Sequence, residues 1–201
     1  KVHGHSAHSS LTPQGVNAID YAARIIVFLQ GLGKQLQTQH EQDAAFDVPF
    51  STLNVGRIRG GTAVNIIPNE CELQFDYRNL PTMNTDAVLL PLKTYLQELI
   101  QEMQQVHGDA TIVLKQLEQV PAMQSVEGNA LYTLIEALVD EHKRSKVAYA
   151  TEGGHFQLAH MDTVICGPGS IVQAHKADEY IALSQLDRCD RFLQQLLQTF
   201  S

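Results

Sequence analysis

The chain has 201 residues, 44% of them hydrophobic, which is enough for one large domain or two small ones with a real core. Its apolar runs fall far short of the ~20 residues that a membrane span needs, and no secretory signal leads it, so we expect neither membrane insertion nor export. The net charge of -8, without a cluster of Lys or Arg, is expected to repel nucleic acid and favours small molecules as partners.

The cysteines are few and widely spaced. Cys71, Cys166 and Cys189 are odd in number and include no close pair. This pattern fits neither a disulfide framework nor a zinc site made of cysteines. A reducing compartment is therefore the natural location, and we predict a cytoplasmic protein.

A first helix is predicted from the region of Thr12-Pro13 onward, because apolar residues recur there at helical spacing. Its predicted buried face consists of Val16, Ile19, Ala23, Ile26, Leu29, Leu32 and Leu36.

Two strands are predicted next, joined through the glycine pair Gly60-Gly61. The first contains FSTLNVGRI, and the second ends in ECELQFDYR, where apolar and polar residues alternate with a period of two. That period is typical of a strand with one buried face, so the pair predicts a hairpin.

A second amphipathic helix follows, with Val88 and Met103 near the ends of its apolar face, Thr85 or Asp86 as its cap and Pro91 in its early turns. The segment TIVLKQL is a predicted strand, and the opening KVHGHSAH is also expected to be extended. The resulting order, β-α-β-β-α-β, predicts a ferredoxin-like α/β (α+β) domain over residues 1–117.

Residues 118–201 have a different pattern. We predict a helix from about Asn129 to His142, two short apolar strands, KVAYA and TVICG, and a final helix. Wholly apolar strands belong inside a sheet covered on both faces, and two cannot form such a sheet alone. This region is therefore expected to be the C-terminal part of a larger α/β domain whose other strands lie outside the chain.

His175 is the first candidate site residue. It follows the predicted strand TVICG in a loop, with Asp178 and Glu179 able to orient it. Catalytic zinc takes about three protein ligands, and this region has no other convincing candidate. From position alone, His175 is either a metal ligand or a surface histidine.

The histidines near the start do not predict a metal site. Strand alternation places His3 and His5 on one face and His8 on the other, so the three would not converge. His8, beside serines at the end of a strand, is able to act alone as a hydrogen-bond donor to an anion.

Four other residues are weighed as substrate-binding groups. Asn65 follows the glycine turn, and Arg78 closes the second strand of the hairpin, where a guanidinium is suited to gripping a carboxylate. Taken singly, each fits an ordinary solvated strand residue better than a binding group. Glu152 and Gly153 follow KVAYA, where Glu152 is able to bind a cation; a plain strand-to-helix turn is the alternative.

Four stretches together resemble the di-zinc aminoacylase and carboxypeptidase family of metallopeptidases: GHSAHSSLTPQGVNAI, FSTLNVGRIRGGTAVNIIPNECELQFDYR, ATEGGH and ICGPGSIVQAHKADEY. The resemblance runs nearly end to end but covers only the C-terminal half of such an enzyme. It implies that residues 1–117 are the lid or dimerisation domain, forming a homodimer, and that residues 118–201 complete a catalytic domain whose other metal ligands and general base lie upstream.

The resemblance also implies roles for single residues. His175 matches the final metal ligand, and His8 matches a lid histidine that reaches the neighbouring subunit's site and stabilises the oxyanion. Asn65 and Arg78 match positions at the substrate's carboxylate side, and Gly153 matches a glycine of the substrate pocket. Glu152 is our own addition, since ornithine keeps a cationic side chain.

The activity implied for the complete enzyme is hydrolysis of N-acetyl-L-ornithine to acetate and L-ornithine, a step of arginine biosynthesis, with two zinc ions or cobalt in their place. A relative acting on another N-acyl amino acid, such as succinyl-diaminopimelate, is an alternative. The chain alone is expected to be inactive, so a non-catalytic dimerisation and substrate-docking module is the competing hypothesis.

Overall fold

The computed structural model describes residues 1–124, 128–139, 146–174 and 176–201. The chain divides into two compact units. The first contains Lys1–Gln119 and Lys146–Ala148, and the second contains Val120–Ser145 and Tyr149–Ser201. Within the described ranges, no helix combines the length and the apolar character that crossing a membrane requires.

The first unit is a four-stranded sheet with two long helices. Its elements are β1 (Val2–His3), α1 (Ala18–Gln39), β2 (Thr52–Gly60), β3 (Glu70–Arg78), α2 (Thr85–Val106) and β4 (Thr111–Ile112). The strand order is β2-β3-β1-β4, and every neighbouring pair is antiparallel. The predicted β-α-β-β-α-β order and the ferredoxin-like fold are confirmed.

One hydrophobic core joins both helices to the sheet. The buried residues of α1 follow a spacing of three and four, and they are Ala18, Ala22, Ile25, Leu29, Leu32 and Leu36. The predicted face was wrong by one position in its first half, because Ala23 is exposed and Ile26 is only half-buried. Ala22 to Phe28 is apolar around much of the helix, so periodicity alone did not select the face that packs on the sheet.

Asparagine side chains cap the N-termini of α1 and α2, one to a few residues from the predicted starts. The Asn17 side chain accepts hydrogen bonds from the backbone N–H groups of Ile19 and Asp20, and Asn84 accepts one from Ala87. Thr12–Gln14 is a separate 3-10 turn rather than the start of α1. Asn is among the strongest N-cap residues, because its oxygen satisfies N–H groups that have no partner within the helix.

The outer surfaces of α1 and α2 are joined by a polar clamp and a ring stack. Both terminal nitrogens of Arg24 donate to the Glu102 carboxylate, at 2.6 and 2.8 Å, and the Tyr21 hydroxyl donates to the same carboxylate. The Arg24 hydrogen bonds hold the pKa of Glu102 below its ordinary value. Phe28 and Tyr95 stack beside this clamp at a centroid distance of 4.5 Å. Since the ion pair is solvent-exposed, its contribution is about 1 kcal/mol or less.

The strand predicted for TIVLKQL is shorter than expected. Only Thr111–Ile112 forms β4, opposite Val2–His3 of β1. The backbone hydrogen bonds continue one residue further, where the Val113 N–H donates to the Lys1 carbonyl at 2.8 Å and the Lys1 amino group donates to the Val113 carbonyl at 2.7 Å. A strand extends only as far as a neighbour receives its hydrogen bonds.

The second unit contains three α-helices and one 3-10 turn, Ile171–Gln173, among its described residues. The α-helices are α3 (Ala130–Leu138), α4 (Gly153–Leu158) and α5 (Leu183–Thr199). The predicted start of α3 near Asn129 is confirmed, and the Asn129 side chain caps the helix by accepting a hydrogen bond from the Leu131 backbone N–H. The helix was predicted to continue to His142, but it ends at Leu138, and the next residue, Val139, is extended. Residues 140–145 lie outside the described residues.

The predicted strands KVAYA and TVICG were wrong, since neither forms a strand among the described residues. Lys146 makes a single bridge to Phe46 within the first unit, and its ammonium group lies 2.6 Å from the Asp43 carboxylate. Ile165 of TVICG is 62% exposed. Apolar content predicted these strands, but a strand also needs a neighbour to receive its backbone hydrogen bonds.

Candidate functional site

The first part of the site is the place where two segments of the first unit pair through their backbones. The Ser9 N–H donates to the Asn65 carbonyl at 3.0 Å, and the Ile67 N–H donates to the Ala7 carbonyl at 2.8 Å. His8 therefore lies opposite Ile66 in a short antiparallel bridge. The structure thus brings the segments of two predicted site residues, His8 and Asn65, side by side, and both residues are exposed.

The His8 ring is held from one side by Ser10. The Ser10 backbone N–H donates to His8 Nδ1 at 3.2 Å, and the Ser10 hydroxyl oxygen lies 2.7 Å from the same nitrogen. A backbone N–H can only donate, so Nδ1 is an acceptor. The neutral ring therefore carries its proton on Nε2. Sequence reasoning missed Ser10; the available signal was a serine two residues after the histidine.

Close backbone contact at Gly4 fixes the segment that leads to His8. The Gly4 N–H donates to the Asn69 carbonyl at 2.8 Å, while His5 and Val16 exchange two backbone hydrogen bonds at 3.0 and 2.9 Å. A Cβ atom at Gly4 would lie 2.0 Å from the Val16 carbonyl oxygen. Only glycine fits this approach.

Exposed apolar side chains surround the His8 segment. Ile66, opposite His8, is 41% exposed, and Leu11, whose N–H donates to the His8 carbonyl, is 44% exposed. Val64, in the loop just before Asn65, is fully exposed. The apolar residues next to His8 and Asn65 are thus exposed and not packed in the core.

Arg78 lies away from His8 and Asn65. It ends β3, opposite Thr52 on β2, and its Nε donates to the Asp76 carboxylate at 2.7 Å. Glu70, at the other end of β3, is eight residues earlier, which corresponds to about 26 Å along an extended strand. Asn65 precedes Glu70. The first unit therefore does not bring Arg78 together with the His8 and Asn65 segments.

In the second unit, Glu152 and Gly153 lie at the start of α4. Glu152 is exposed, and its side chain makes no capping hydrogen bond. Gly153 is buried, its N–H donates to the Thr151 hydroxyl at 3.2 Å, and a Cβ there would lie 2.5 Å from the sulfur of Met123. A larger residue here would therefore require the Met123 side chain to shift.

Gly154 is a residue whose importance the sequence did not single out. A Cβ at this position would lie 2.0 Å from the Pro121 carbonyl oxygen, which is backbone and has little freedom to move. The signal in the sequence was the glycine pair itself.

His175, the predicted metal ligand, lies outside the described residues. Across the remainder of the chain that the structure describes, no group of three or more His, Cys, Asp or Glu side chains is arranged to hold a metal ion. The metal site therefore stays a prediction.

Comparison with known proteins identifies relatives along the whole chain. The sequence profile of the peptidase dimerisation domain matches residues 1–104. The chain is 34% identical over 200 residues to the acetylornithine deacetylase of Photorhabdus laumondii and 32% identical over 200 residues to that of Pasteurella multocida. Each alignment covers 100% of this chain and 50% of the relative, so the chain spans half the length of these relatives.

Solved structures share the fold. An aminopeptidase PepT from Bacillus cereus superposes with a TM-score of 0.69 at 18% identity, and a tripeptidase from Staphylococcus aureus does so with a TM-score of 0.62 at 20% identity. Both cover 96% of this chain and 48% of the other chain. At these identities the likeness establishes the fold alone.

Proposed function

Because the chain belongs to the M20 peptidase dimerisation domain family, which its residues 1–104 match, we propose that it is the C-terminal half of a metal-dependent acetylornithine deacetylase. The complete enzyme would hydrolyse N-acetyl-L-ornithine to acetate and L-ornithine, in the cytoplasm and as a step of arginine biosynthesis. Residues 1–117 would form the dimerisation domain, and residues 118–201 would complete the catalytic domain.

The observation that carries this proposal is the way in which the exposed His8 ring is held, with Nδ1 in contact with Ser10. Amide hydrolysis places negative charge on the carbonyl oxygen of the acetyl group, and a fixed N–H donor stabilises that charge. His8 offers such a donor, because Ser10 occupies Nδ1 and the proton lies on Nε2 of an exposed ring. We assign His8 to oxyanion stabilisation.

Substrate binding is assigned to polar groups of both units. Asn65 and Arg78 are proposed to bind the carboxylate side of the substrate, Gly153 to line its pocket, and Glu152 to attract the cationic end of the ornithine side chain. To bind the substrate, Arg78 would give up its ion pair with Asp76 for one with the substrate carboxylate. Breaking the Asp76 pair costs little, because both side chains are more than half exposed.

Metal binding is assigned to His175, with the remaining ligands and the general base supplied from outside this chain. When bound, two zinc ions, or cobalt in their place, would lower the pKa of a water molecule and so supply the nucleophile. Asp178 and Glu179 follow His175 closely and are proposed to orient its ring.

The length of β3 supports a dimer in which the subunits share each site. The span from the Asn65 region to Arg78 is far longer than an acylated amino acid, so these groups of one chain would not grip the same small substrate. We propose that His8 and Asn65 serve the active site of the neighbouring subunit, while Arg78 serves its own.

The proposed dimer surface lies in residues 1–117, along β2. This strand has nine residues and stands at the end of the sheet order, and its outer edge is unpaired among the described residues. An unpaired edge is a template for another strand. The exposed apolar side chain of Ile58 on β2, 50% exposed, supplies apolar area on this strand. A second copy of the chain would cover this side chain and the unpaired edge.

A lysine at the edge tests the dimer. Ile58→Lys is expected to convert the 201-residue chain from dimer to monomer, because edge lysines oppose strand-to-strand pairing. Sedimentation velocity over a range of concentrations measures the result. Leu90→Lys, an equally drastic change at a residue of α2 that is 59% exposed, is the control and should stay dimeric. A wild-type chain that is monomeric at every concentration would contradict the dimer.

A substrate panel tests the activity. The complete enzyme, loaded with zinc or cobalt, is expected to cleave N-acetyl-L-ornithine with a kcat/KM at least tenfold above that for succinyl-diaminopimelate or other N-acyl amino acids. Reversed preference would assign the chain to a relative with a different substrate.

The isolated chain provides the second arm of that test. It is expected to show no turnover and no stoichiometric zinc, since we assign only His175 of this chain to the metal and assign the general base to a segment outside it. The same outcome is expected of the second candidate function, a dimerisation and substrate-docking module. Turnover by the 201-residue chain would sink that second candidate.

A further inference from the structure

We propose that Ser10 is a positioning residue for this reaction, which holds the His8 ring with Nε2–H directed outward. The inference rests on the oxyanion role assigned to His8 above. It gives Ser10 a distinct role, because this side chain contacts the His8 imidazole and would act through it.

The backbone around His8 is already fixed before Ser10 is considered. Hydrogen bonds on both sides of His8 hold the ladder to residues 65–67, and the His8 carbonyl accepts the Leu11 N–H at 2.8 Å. The remaining freedom of this exposed side chain is rotation about its own bonds. An untethered ring would populate several rotamers and both neutral tautomers.

Ser10 removes that freedom with two contacts on one atom. Its backbone N–H and its hydroxyl both meet His8 Nδ1, at 3.2 and 2.7 Å. The first contact makes Nδ1 an acceptor, and the second, shorter contact ties the ring to the turn that follows. Together they select the Nε2–H tautomer and one orientation of the ring. A donor that is oriented before the reaction needs no reorganisation as charge develops.

Removal of the hydroxyl should therefore affect catalysis and little else. In the complete, metal-loaded enzyme, Ser10→Ala is expected to lower kcat about tenfold, the worth of one good hydrogen bond, with KM and metal content unchanged. Ser10→Thr keeps a hydroxyl at the same place and should restore most of the rate. Ser9→Ala is the matched control, because Ser9 contributes its backbone N–H to the Asn65 bond and keeps it after the change.

A double-mutant cycle separates positioning from a general structural role. If Ser10 acts through His8, Ser10→Ala has no further effect on kcat in a His8→Ala background. A tenfold loss in that background as well would overturn the proposal, because it would show that Ser10 acts by another route.

Nitrogen-15 NMR of the 201-residue chain tests the geometry without any assay. With labelled histidine, and with His8→Ala used to identify the signal, the neutral His8 ring should carry its proton on Nε2, and Ser10→Ala should move the Nδ1 signal. A proton on Nδ1 in the wild-type chain would overturn the inference whatever the enzyme does. The expected spectra together with an enzyme that cleaves no N-acyl amino acid would instead overturn the proposed function alone.

Discussion

Replacing His8 with alanine in the complete enzyme is expected to lower kcat by about 100-fold or more, with no loss of bound metal. One oxyanion donor typically lowers the activation free energy by about 3 kcal/mol. The hydrogen bonds of the His8 ring to described residues are made by Nδ1, which leaves the exposed Nε2–H to donate to the substrate. Steady-state kinetics on N-acetyl-L-ornithine and metal analysis of the same preparation measure the two quantities. The fold should be unaffected, because the His8 side chain is exposed.

Two further variants make that result specific. His175→Ala should also abolish turnover but should empty one metal position, so metal content distinguishes the two histidines. His3→Ala removes a histidine that pairs only weakly with Glu70, at 3.5 Å, and should leave kcat within about twofold. A loss of less than threefold in His8→Ala would remove His8 from the catalytic assignment.

The fold of the first unit could be predicted because the sequence patterns of its helices and strands are local and agree with one another. Alternation over Glu70–Arg78 and the glycine pair predicted the hairpin, and two helical periodicities predicted α1 and α2. The details that failed depend on tertiary structure. Whether Ala22 or Ala23 faces the core is decided by the sheet, since both faces of α1 are apolar there.

The second unit was predicted less well for a different physical reason. KVAYA and TVICG have strand composition, but composition does not supply the neighbouring strand that completes the hydrogen bonds. Helix α3 was found because its apolar face lies within one short segment. The family resemblance identified candidate residues in both units, and residue types alone left nearly all of them undecided.

The arrangement around His8 shows where sequence reasoning stopped. Its partner Ser10 was visible only as one of two serines in a row, and the pairing of its segment with residues 65–67 joins positions that are nearly sixty residues apart. Nothing in local spacing predicts such a contact. The glycine at position 4, which allows the segment to approach Val16, was likewise seen only as part of a resemblance.

Gly4→Ala is expected to destabilise the first unit by about 3 kcal/mol or more. The new Cβ would meet the Val16 carbonyl oxygen at 2.0 Å, and this oxygen accepts the His5 N–H, so the backbone cannot yield without breaking that bond. Urea unfolding of the 201-residue chain, followed by far-ultraviolet circular dichroism, gives the change in free energy. Because Gly4 begins the segment that ends at His8, the same substitution should also lower kcat in the complete enzyme.

Gly31→Ala is the matched control, since it adds the same methyl group at another glycine of the same unit. Gly31 lies exposed inside α1, and a Cβ there would meet no atom within 4 Å. Alanine is the better helix former, so this variant should be more stable than the wild type by about 0.5–1 kcal/mol. The two substitutions are thus expected to shift the unfolding midpoint in opposite directions. If Gly4→Ala were as stable as Gly31→Ala, the close approach of Gly4 to Val16 would not be what holds the His8 segment in place.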